Sequence, residues 1–157
     1  PSPRLWDVGN GALYPVVVEA IVGGAVVDRY ETRVGFRSIA VGPKGLTLNG
    51  RPVTLRGFGK HEEGPLRGRA TDPAQIVKDF ALMDWCGANS FRTSHYPYSE
   101  EWLDAADEAG VLVISELFSV NLDFRRTDAS TLAAHRAALE AQIARDGARP
   151  SVIAWSL

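Results

Sequence analysis

Two short segments of the sequence place histidine beside carboxylate, guanidinium and aromatic groups. The first contains Lys60-His61-Glu62-Glu63 and the second Arg92-Thr93-Ser94-His95-Tyr96-Pro97-Tyr98. Imidazole accepts or donates a proton near neutral pH, and an adjacent carboxylate fixes which ring nitrogen carries the proton. A third acidic candidate, Glu116, follows a run of apolar residues. The candidate residues for acid–base chemistry or polar ligand binding are therefore His61, Glu62, Arg92, His95 and Glu116.

Each of these residues also has a structural interpretation. His61 and His95 could be hydrogen-bonded histidines that hold loops in place. Arg92 could form an ion pair with Glu62 or Glu116, and such a pair would still position the groups of a pocket. Because Glu116 follows four apolar residues, we expect its carboxylate to enter a polar network at the end of a strand.

Two other chemistries are weighed and disfavoured. A Ser/His/Asp triad could use Ser94, His95 and Asp84, but adjacent residues of a strand point to opposite faces, and no Gly-x-Ser-x-Gly elbow occurs. His61, His95 and Glu116 could ligate a metal, but their spacing matches no known metal-binding pattern. We therefore predict neither a triad nor a metal site.

Several other conspicuous residues are expected to be structural. His135 lies in the middle of a predicted helix among polar neighbours, which indicates a solvent-facing side chain. Cys86, at a helix end, is expected to be a small buried hydrophobic residue. Trp85, Trp102 and Phe80 lie at helical positions typical of a core.

Composition excludes several classes of partner. The chain has 157 residues, with 17 basic and 19 acidic side chains and a net charge of −2, so no basic surface for nucleic acid or anionic membranes is predicted. The longest apolar runs are too short to span a bilayer. One cysteine excludes an intrachain disulfide and any multi-cysteine zinc site. No signal-peptide pattern is present, and the compartment is left open.

The first 38 residues predict β structure. The segments 14–22 and 25–34 are rich in β-branched residues, and Gly23-Gly24 between them is a hairpin signal. A lone hairpin is marginally stable in water. Either the sequence begins within a larger β domain, or the hairpin docks on the later part of the chain.

From about residue 46 strands and helices alternate. Strands are predicted over 51–57, 89–92, 111–115 and 151–155. Helices are predicted after the caps Asp72 and Ser99, ending at Gly87 and Gly110, with a third around Leu132, Leu139 and Ile143.

This β-α-β-α-β-α-β order predicts an α/β fold with parallel strands and right-handed crossovers. The Gly-x-Gly-x-x-Gly phosphate loop is missing, which favours four units of a (β/α)₈ TIM barrel over a dinucleotide-binding sheet. A closed barrel needs about 250 residues.

Several motifs resemble those of glycoside hydrolase family 2. Asn-Ser-Phe-Arg-Thr-Ser-His-Tyr-Pro at 89–97, with the residues through Ile114, resembles the first family signature. The run 48–57 resembles the entry into the family's barrel, and 5–14 and 33–37 resemble the end of the preceding immunoglobulin-like domain. The resemblance implies that residues 1–40 are the last strands of an immunoglobulin-like β-sandwich. Residues 41–157 would be the first half of the TIM barrel.

Within this family, the sequence around 59–68 and 81–101 is most similar to the β-glucuronidases. The resemblance implies a retaining exo-β-glycosidase that cleaves terminal β-glucuronides without a cofactor, using two carboxyl groups about 5–5.5 Å apart. His95 would hydrogen-bond a sugar hydroxyl, and His61, Arg92, Glu62 and Glu116 would complete the substrate-binding site. The alternatives are a β-galactosidase-type member or a non-catalytic carbohydrate-binding or assembly protein.

The resemblance also implies a piece of a longer enzyme. Residues 146–156 resemble the second family signature, with Gly147 and Ala148 in place of the usual Lys and Asn. In the family that signature continues into Asn-Glu, whose glutamate is the acid/base, and the nucleophile lies on a later strand. No residue of the chain is therefore predicted to be catalytic, and the parent enzyme is expected to be a homo-oligomer. The unpaired strands of half a barrel predict an aggregation-prone or oligomeric fragment.

Overall fold

The computed structural model describes residues 2–43 and 45–157, which form three separate sheets and three helices. In chain order the elements are β1 (Tyr14–Val22), β2 (Ala25–Val34), β3 (Ile39–Gly42), β4 (Gly45–Leu48), β5 (Arg51–Pro52), β6 (Gly57–Lys60), α1 (Pro73–Trp85), β7 (Ser90–Thr93), α2 (Glu100–Ala109), β8 (Leu112–Glu116), α3 (Ala129–Asp146) and β9 (Val152–Ser156). None of the helices in the described ranges is long and apolar enough to cross a membrane.

The amino-terminal hairpin is confirmed. Strands β1 and β2 pair antiparallel with Val18 opposite Tyr30, and Gly23 and Gly24 both have positive φ angles in the turn. Two consecutive positive φ angles match the right-handed twist of the flanking strands, which explains the Gly-Gly sequence.

A second small sheet, β3-β4-β5, is not predicted by the sequence pattern. Its strands are antiparallel, and Asn49 and Gly50, both at positive φ, form the tight turn between β4 and β5. The Asn-Gly turn therefore closes a local hairpin instead of leading into the barrel. Strands of two to four residues are too short to give a clear alternating pattern.

The first strand of the parallel sheet is β6, so the predicted strand over residues 51–57 is wrong. Residues 51–52 pair with β4, and Pro52 has no N–H to donate to a central parallel strand. The Asn89 side chain then fixes the connecting residues, accepting from the Arg56 N–H at 2.7 Å and donating to the Thr54 carbonyl at 2.9 Å. A Cβ at Gly57 would lie 1.8 Å from the Ser90 carbonyl oxygen, so glycine is required where β6 begins.

The four-stranded sheet has the order β6-β7-β8-β9 and is parallel throughout, as the alternating pattern predicts. Every strand therefore ends at the same edge, which we call the carboxyl edge. It is formed by Lys60, Thr93, Glu116 and Ser156, the last residues of the four strands. In parallel α/β barrels this edge carries the functional groups.

Helices α1 and α2 begin and end where their caps predict. The Asp72 carboxylate accepts from the N–H groups of Ala74 and Gln75, but the Gln75 side chain donates to Asp79, so only half of a capping box forms. Gly110 ends α2 in the left-handed conformation. Both helices cover the sheet with apolar residues: Ile76, Met83, Trp102, Leu103 and Ala106 are buried.

Helix α3 is found where predicted, but its buried face is not the predicted apolar one. Leu132 and Ile143 are exposed, whereas His135, Gln142 and Asp146 are buried. The reason is that the helix meets polar groups at the end of β8. The Gln142 amide donates to the Ser115 hydroxyl at 2.8 Å and to the Glu116 carbonyl at 3.3 Å.

Three residue-level predictions are corrected. His135 is buried and packs against Phe124 with ring centroids 4.9 Å apart, because the loop after β8 folds back over α3. Cys86 is exposed, since it is the C-cap of α1 and has already left the helix face that packs on the sheet. Trp85 is 83% exposed, on the side of α1 away from Ile76 and Met83, whereas Trp102 is buried as predicted.

The amino-terminal segment packs against the opposite edge of the parallel sheet. Trp6 is fully buried with Leu48 and Leu112, and its indole N–H donates to the Asp107 carbonyl at 2.7 Å. Arg37 donates to the carbonyl oxygens of Pro150 and Val152, where β9 begins. Buried side chains, and their hydrogen bonds to backbone carbonyl oxygens, therefore connect the amino-terminal segment to the parallel sheet.

A partly buried ion-pair network joins α2 to the start of β9. The guanidinium group of Arg149 contacts Asp104 at 2.6 Å and Asp107 at 3.2 Å, and Asp107 also accepts from the Ser151 N–H at 3.0 Å. Burial alone would lower the pKa of Arg149, but the hydrogen bonds and charges of Asp104 and Asp107 outweigh it and raise that pKa. Burial raises the pKa of Asp107, and Ser151 and Arg149 partly offset the effect.

We expect Arg149→Ala to lower the free energy of unfolding by about 3–5 kcal/mol, because it leaves the Asp107 carboxylate buried and unpaired. The matched control is Arg125→Ala, whose side chain is 91% exposed and whose partner Asp123 is on the surface, so stability should stay nearly unchanged. Denaturant titration of both variants of the whole protein measures the difference. Equal stability of the two variants would contradict the structural role of the network.

Candidate functional site

The first loop of the carboxyl edge begins at a firmly held lysine. The Lys60 ammonium group lies 3.0 Å from the Asp79 carboxylate, 3.8 Å from the centre of the Trp102 ring and 2.8 Å from the His61 carbonyl oxygen. The Tyr98 hydroxyl donates to the Lys60 carbonyl, and burial, with nearby negative charges, raises the pKa of Tyr98. Lys60 therefore fixes the backbone from which His61 projects.

His95, Glu116 and Arg92 form the centre of the site. Nδ1 of His95 is 2.8 Å from one oxygen of the Glu116 carboxylate, and Nε of Arg92 is 3.0 Å from the other. The Glu116 backbone is fixed too, since its N–H donates to the Thr93 hydroxyl at 2.8 Å. The structure thus brings together the ion pair and the strand-end polar network that the sequence predicts. Of the two partners considered for Arg92, it selects Glu116.

His61 lies beside His95 across the two neighbouring loops. Their ring centroids are 5.7 Å apart in an edge-to-face arrangement, and the Tyr96 hydroxyl is 3.4 Å from Nδ1 of His61. The Arg69 guanidinium group stacks 3.9 Å from the centre of the Tyr96 ring. Tyr96 lies in the second candidate segment, but neither it nor Arg69 is among the residues predicted for the site. No sequence signal links residues 27 positions apart.

Glu62 is held by a helix terminus. One carboxylate oxygen accepts from the Ser99 N–H at 3.0 Å, and the Glu62 N–H donates to the Tyr96 hydroxyl at 3.1 Å. A carboxylate is favourable at a helix N-terminus because it satisfies a free N–H and interacts well with the helix dipole. Glu62 therefore caps α2 in place of the Ser99 side chain, which makes no capping hydrogen bond. Its part in substrate binding stays a prediction.

The two disfavoured chemistries gain no support from the geometry. Asp84 lies on the last turn of α1, which leads into the start of β7, whereas Ser94 and His95 follow the end of that strand. Ser94 and His95 are beyond β7, so the expected strand alternation does not apply to them. No cluster of three His, Cys, Asp or Glu side chains suited to a metal ion occurs within residues 2–43 and 45–157.

Comparison with known proteins gives the family. The sequence-family model of the glycosyl hydrolases family 2 TIM barrel domain matches residues 39–157. A second family model, glycosyl hydrolases family 2, matches residues 1–37. The parallel sheet, with its polar groups at the carboxyl edge, fits the start of that TIM barrel. The chain belongs to glycoside hydrolase family 2.

The relatives are much longer than the chain. A β-glucuronidase from Paenibacillus borealis is 42% identical over 99% of this chain, and this chain spans 28% of that enzyme. The β-glucuronidase from Mus musculus is 38% identical over the whole of this chain, and this chain spans 25% of that enzyme. Among solved structures, a β-glucuronidase from Ruminococcus gnavus in complex with D-glucuronic acid is 44% identical with a TM-score of 0.89, covering 98% of this chain and 26% of that one. The chain thus spans about a quarter of the length of these proteins.

Proposed function

We propose that this chain is part of a retaining exo-β-glycosidase that hydrolyses terminal β-glucuronides. The observation that carries the proposal is the His95–Glu116 pair, with Arg92 on the second carboxylate oxygen, at the carboxyl edge of a sheet from this family. The relatives that match nearly the whole chain at about 40% identity are β-glucuronidases. The complex of the R. gnavus enzyme with D-glucuronic acid supports the same sugar for this chain.

In the proposed reaction the chain's own residues bind and orient the sugar. Nε2 of His95 has no hydrogen-bond partner among the described residues and would bond to a sugar hydroxyl. His61, beside it, would contact the same ring, with Lys60 and Tyr96 holding the loop. A carboxylic acid and a carboxylate outside residues 1–157 would protonate the leaving oxygen and attack the anomeric carbon, and water would then release the sugar.

We also propose that residues 1–40 are the last strands of an immunoglobulin-like sandwich and residues 41–157 the first half of the barrel. The hairpin supports this division because its two faces differ. Val16, Val18 and Tyr30 form an exposed apolar face, whereas Glu19 pairs with Arg29 on the other. Such a face is typical of a strand pair that packs on a second sheet. A homo-oligomeric parent enzyme remains a prediction.

The test is the activity of the full-length enzyme on 4-nitrophenyl glycosides. We expect kcat/KM for the β-D-glucuronide to exceed that for the β-D-glucoside by about 10⁴-fold, because a site that binds a substrate's polar group rejects an analogue without it. The sugar released first should be the β-anomer, as retention requires. Preference for the β-D-galactoside would favour the β-galactosidase alternative. Binding of glucuronic acid without turnover of any glycoside would favour the non-catalytic one.

A further inference from the structure

We propose that Glu116 is a positioning residue that acts on the substrate only through His95. This inference rests on the proposed function, in which His95 binds the sugar. It narrows the expectation from the sequence, which places Glu116 in a polar network at the strand end and among the substrate-binding residues. The proposal follows from the placement, accessibility and bonding of the carboxylate.

The position of Glu116 leaves little freedom to its side chain. It is the last residue of β8, its N–H donates to the Thr93 hydroxyl, and its carbonyl accepts from the Gln142 amide. The carboxylate therefore leaves a backbone that is fixed by β7 on one side and by α3 on the other. A group held in this way can define the orientation of whatever it binds.

Accessibility separates Glu116 from the residues it contacts. The Glu116 side chain is 9% exposed, whereas those of His95 and Arg92 are 40% and 43% exposed. A ligand that approaches the carboxyl edge from solvent therefore meets the imidazole and guanidinium groups first. One carboxylate oxygen contacts Nδ1 of His95, and the other lies 3.0 Å from Nε of Arg92 but accepts no hydrogen bond from the described residues. Because that second oxygen is buried, a sugar hydroxyl reaches it only if the surrounding side chains move.

The bond between Glu116 and His95 determines where the imidazole proton sits. An ionised carboxylate only accepts hydrogen bonds, so Nδ1 must carry the proton in the 2.8 Å contact. Nε2 then presents its lone pair, or a second proton when the ring is charged, towards the edge of the sheet. The contact of Arg92 with the other oxygen prevents free rotation of the carboxylate. The pair therefore sets both the tautomer and the direction of the nitrogen that meets the ligand.

A double-mutant cycle in the full-length enzyme tests the inference. Glu116→Leu keeps the side-chain volume but removes the acceptor, and we expect kcat/KM for a β-glucuronide to fall about 10- to 100-fold, the range seen when a carboxylate that orients a metal-bound histidine is removed. In an enzyme that carries His95→Ala, the same change should have less than about a two-fold effect. Glu116→Gln keeps an acceptor for Nδ1–H and should lose less than Glu116→Leu. Glu101→Leu, on the exposed first turn of α2, is the matched control.

The outcomes separate the possible roles. If Glu116→Leu lowers kcat/KM equally in the wild-type enzyme and in the His95→Ala enzyme, Glu116 contacts the substrate itself. If Glu116→Leu lowers the melting temperature and leaves kcat/KM unchanged, its role is structural. Either result overturns the inference. NMR of the enzyme labelled with [¹⁵N]histidine gives a readout without substrate. The His95 ring should show the Nδ1–H form in wild type and lose it in Glu116→Leu, and persistence of that form would also overturn the inference. Failure to hydrolyse β-glucuronides would refute the proposed function and leave this measurement valid.

Discussion

Residues 1–157 by themselves are expected to hydrolyse no glycoside, a loss of about 10⁶-fold or more relative to the full-length enzyme. Retaining hydrolysis needs two carboxyl groups about 5–5.5 Å apart on either side of the scissile bond. Of the two acidic candidate residues, Glu116 contacts His95 and Arg92, and Glu62 accepts a hydrogen bond from the Ser99 N–H. We expect neither carboxylate to act as the nucleophile or the general acid.

The measurement compares the purified chain and the full-length enzyme at equal molar concentration on a chromogenic β-glucuronide. The control is the same chain with His95→Ala, expressed and purified in parallel, because equal slow turnover in both preparations identifies a contaminating host enzyme. Turnover by the wild-type chain that His95→Ala abolishes would contradict the prediction. It would show that residues 1–157 contain a working catalytic pair.

In the full-length enzyme, His95→Ala should lower kcat and kcat/KM together by about 10²- to 10³-fold. The imidazole is expected to hydrogen-bond a sugar hydroxyl more strongly as charge develops at the anomeric carbon, and a bond of that kind contributes about 2.7–4 kcal/mol to the transition state. His95 is 40% exposed and lies in a loop after β7, and Arg92 still lies beside the Glu116 carboxylate when His95 is removed, so the melting temperature should change little.

The same chain offers a structural histidine as the control. His135 is buried against Phe124 and forms no hydrogen bond or ring contact with His61, His95 or Glu116 within residues 2–43 and 45–157, so His135→Ala should lower the melting temperature and leave kcat nearly unchanged. Kinetics and melting curves of both variants therefore form a paired test. If His95→Ala gives the pattern expected of His135→Ala, the binding role of His95 is wrong and the structural interpretation stands.

Local sequence signals determined much of the fold. Gly23-Gly24 required a turn with positive φ angles, Asp72 supplied oxygens to free N–H groups, and Gly110 could end α2 in the left-handed conformation. Alternating strands and helices then required parallel pairing, which brings the strand ends to one edge. The pairing of Arg92 with Glu116 is one of the two possibilities that the sequence predicts for the same reason, because Glu116 ends β8 and Arg92 is the next-to-last residue of the neighbouring strand β7.

Tertiary structure decided the features that depend on which surfaces meet. The strand predicted at residues 51–57 is divided, because Pro52 pairs locally with β4 while Asn89, from a distant segment, binds the backbone at 54 and 56. His135 and Gln142 are buried because α3 lies against polar groups and a returning loop, which no helical periodicity can reveal.

The roles of the acidic residues in the site were also decided in three dimensions. Glu62 and Glu116 are chemically identical, and each lies in a segment that follows or ends a strand. Glu62 reaches the free N–H of Ser99 and caps α2, whereas Glu116 reaches Nδ1 of His95. A sequence defines which carboxylates are present, but the donor that each one meets depends on loop paths and on the packing of α2 and β8. Only the folded chain brings those donors within hydrogen-bond distance.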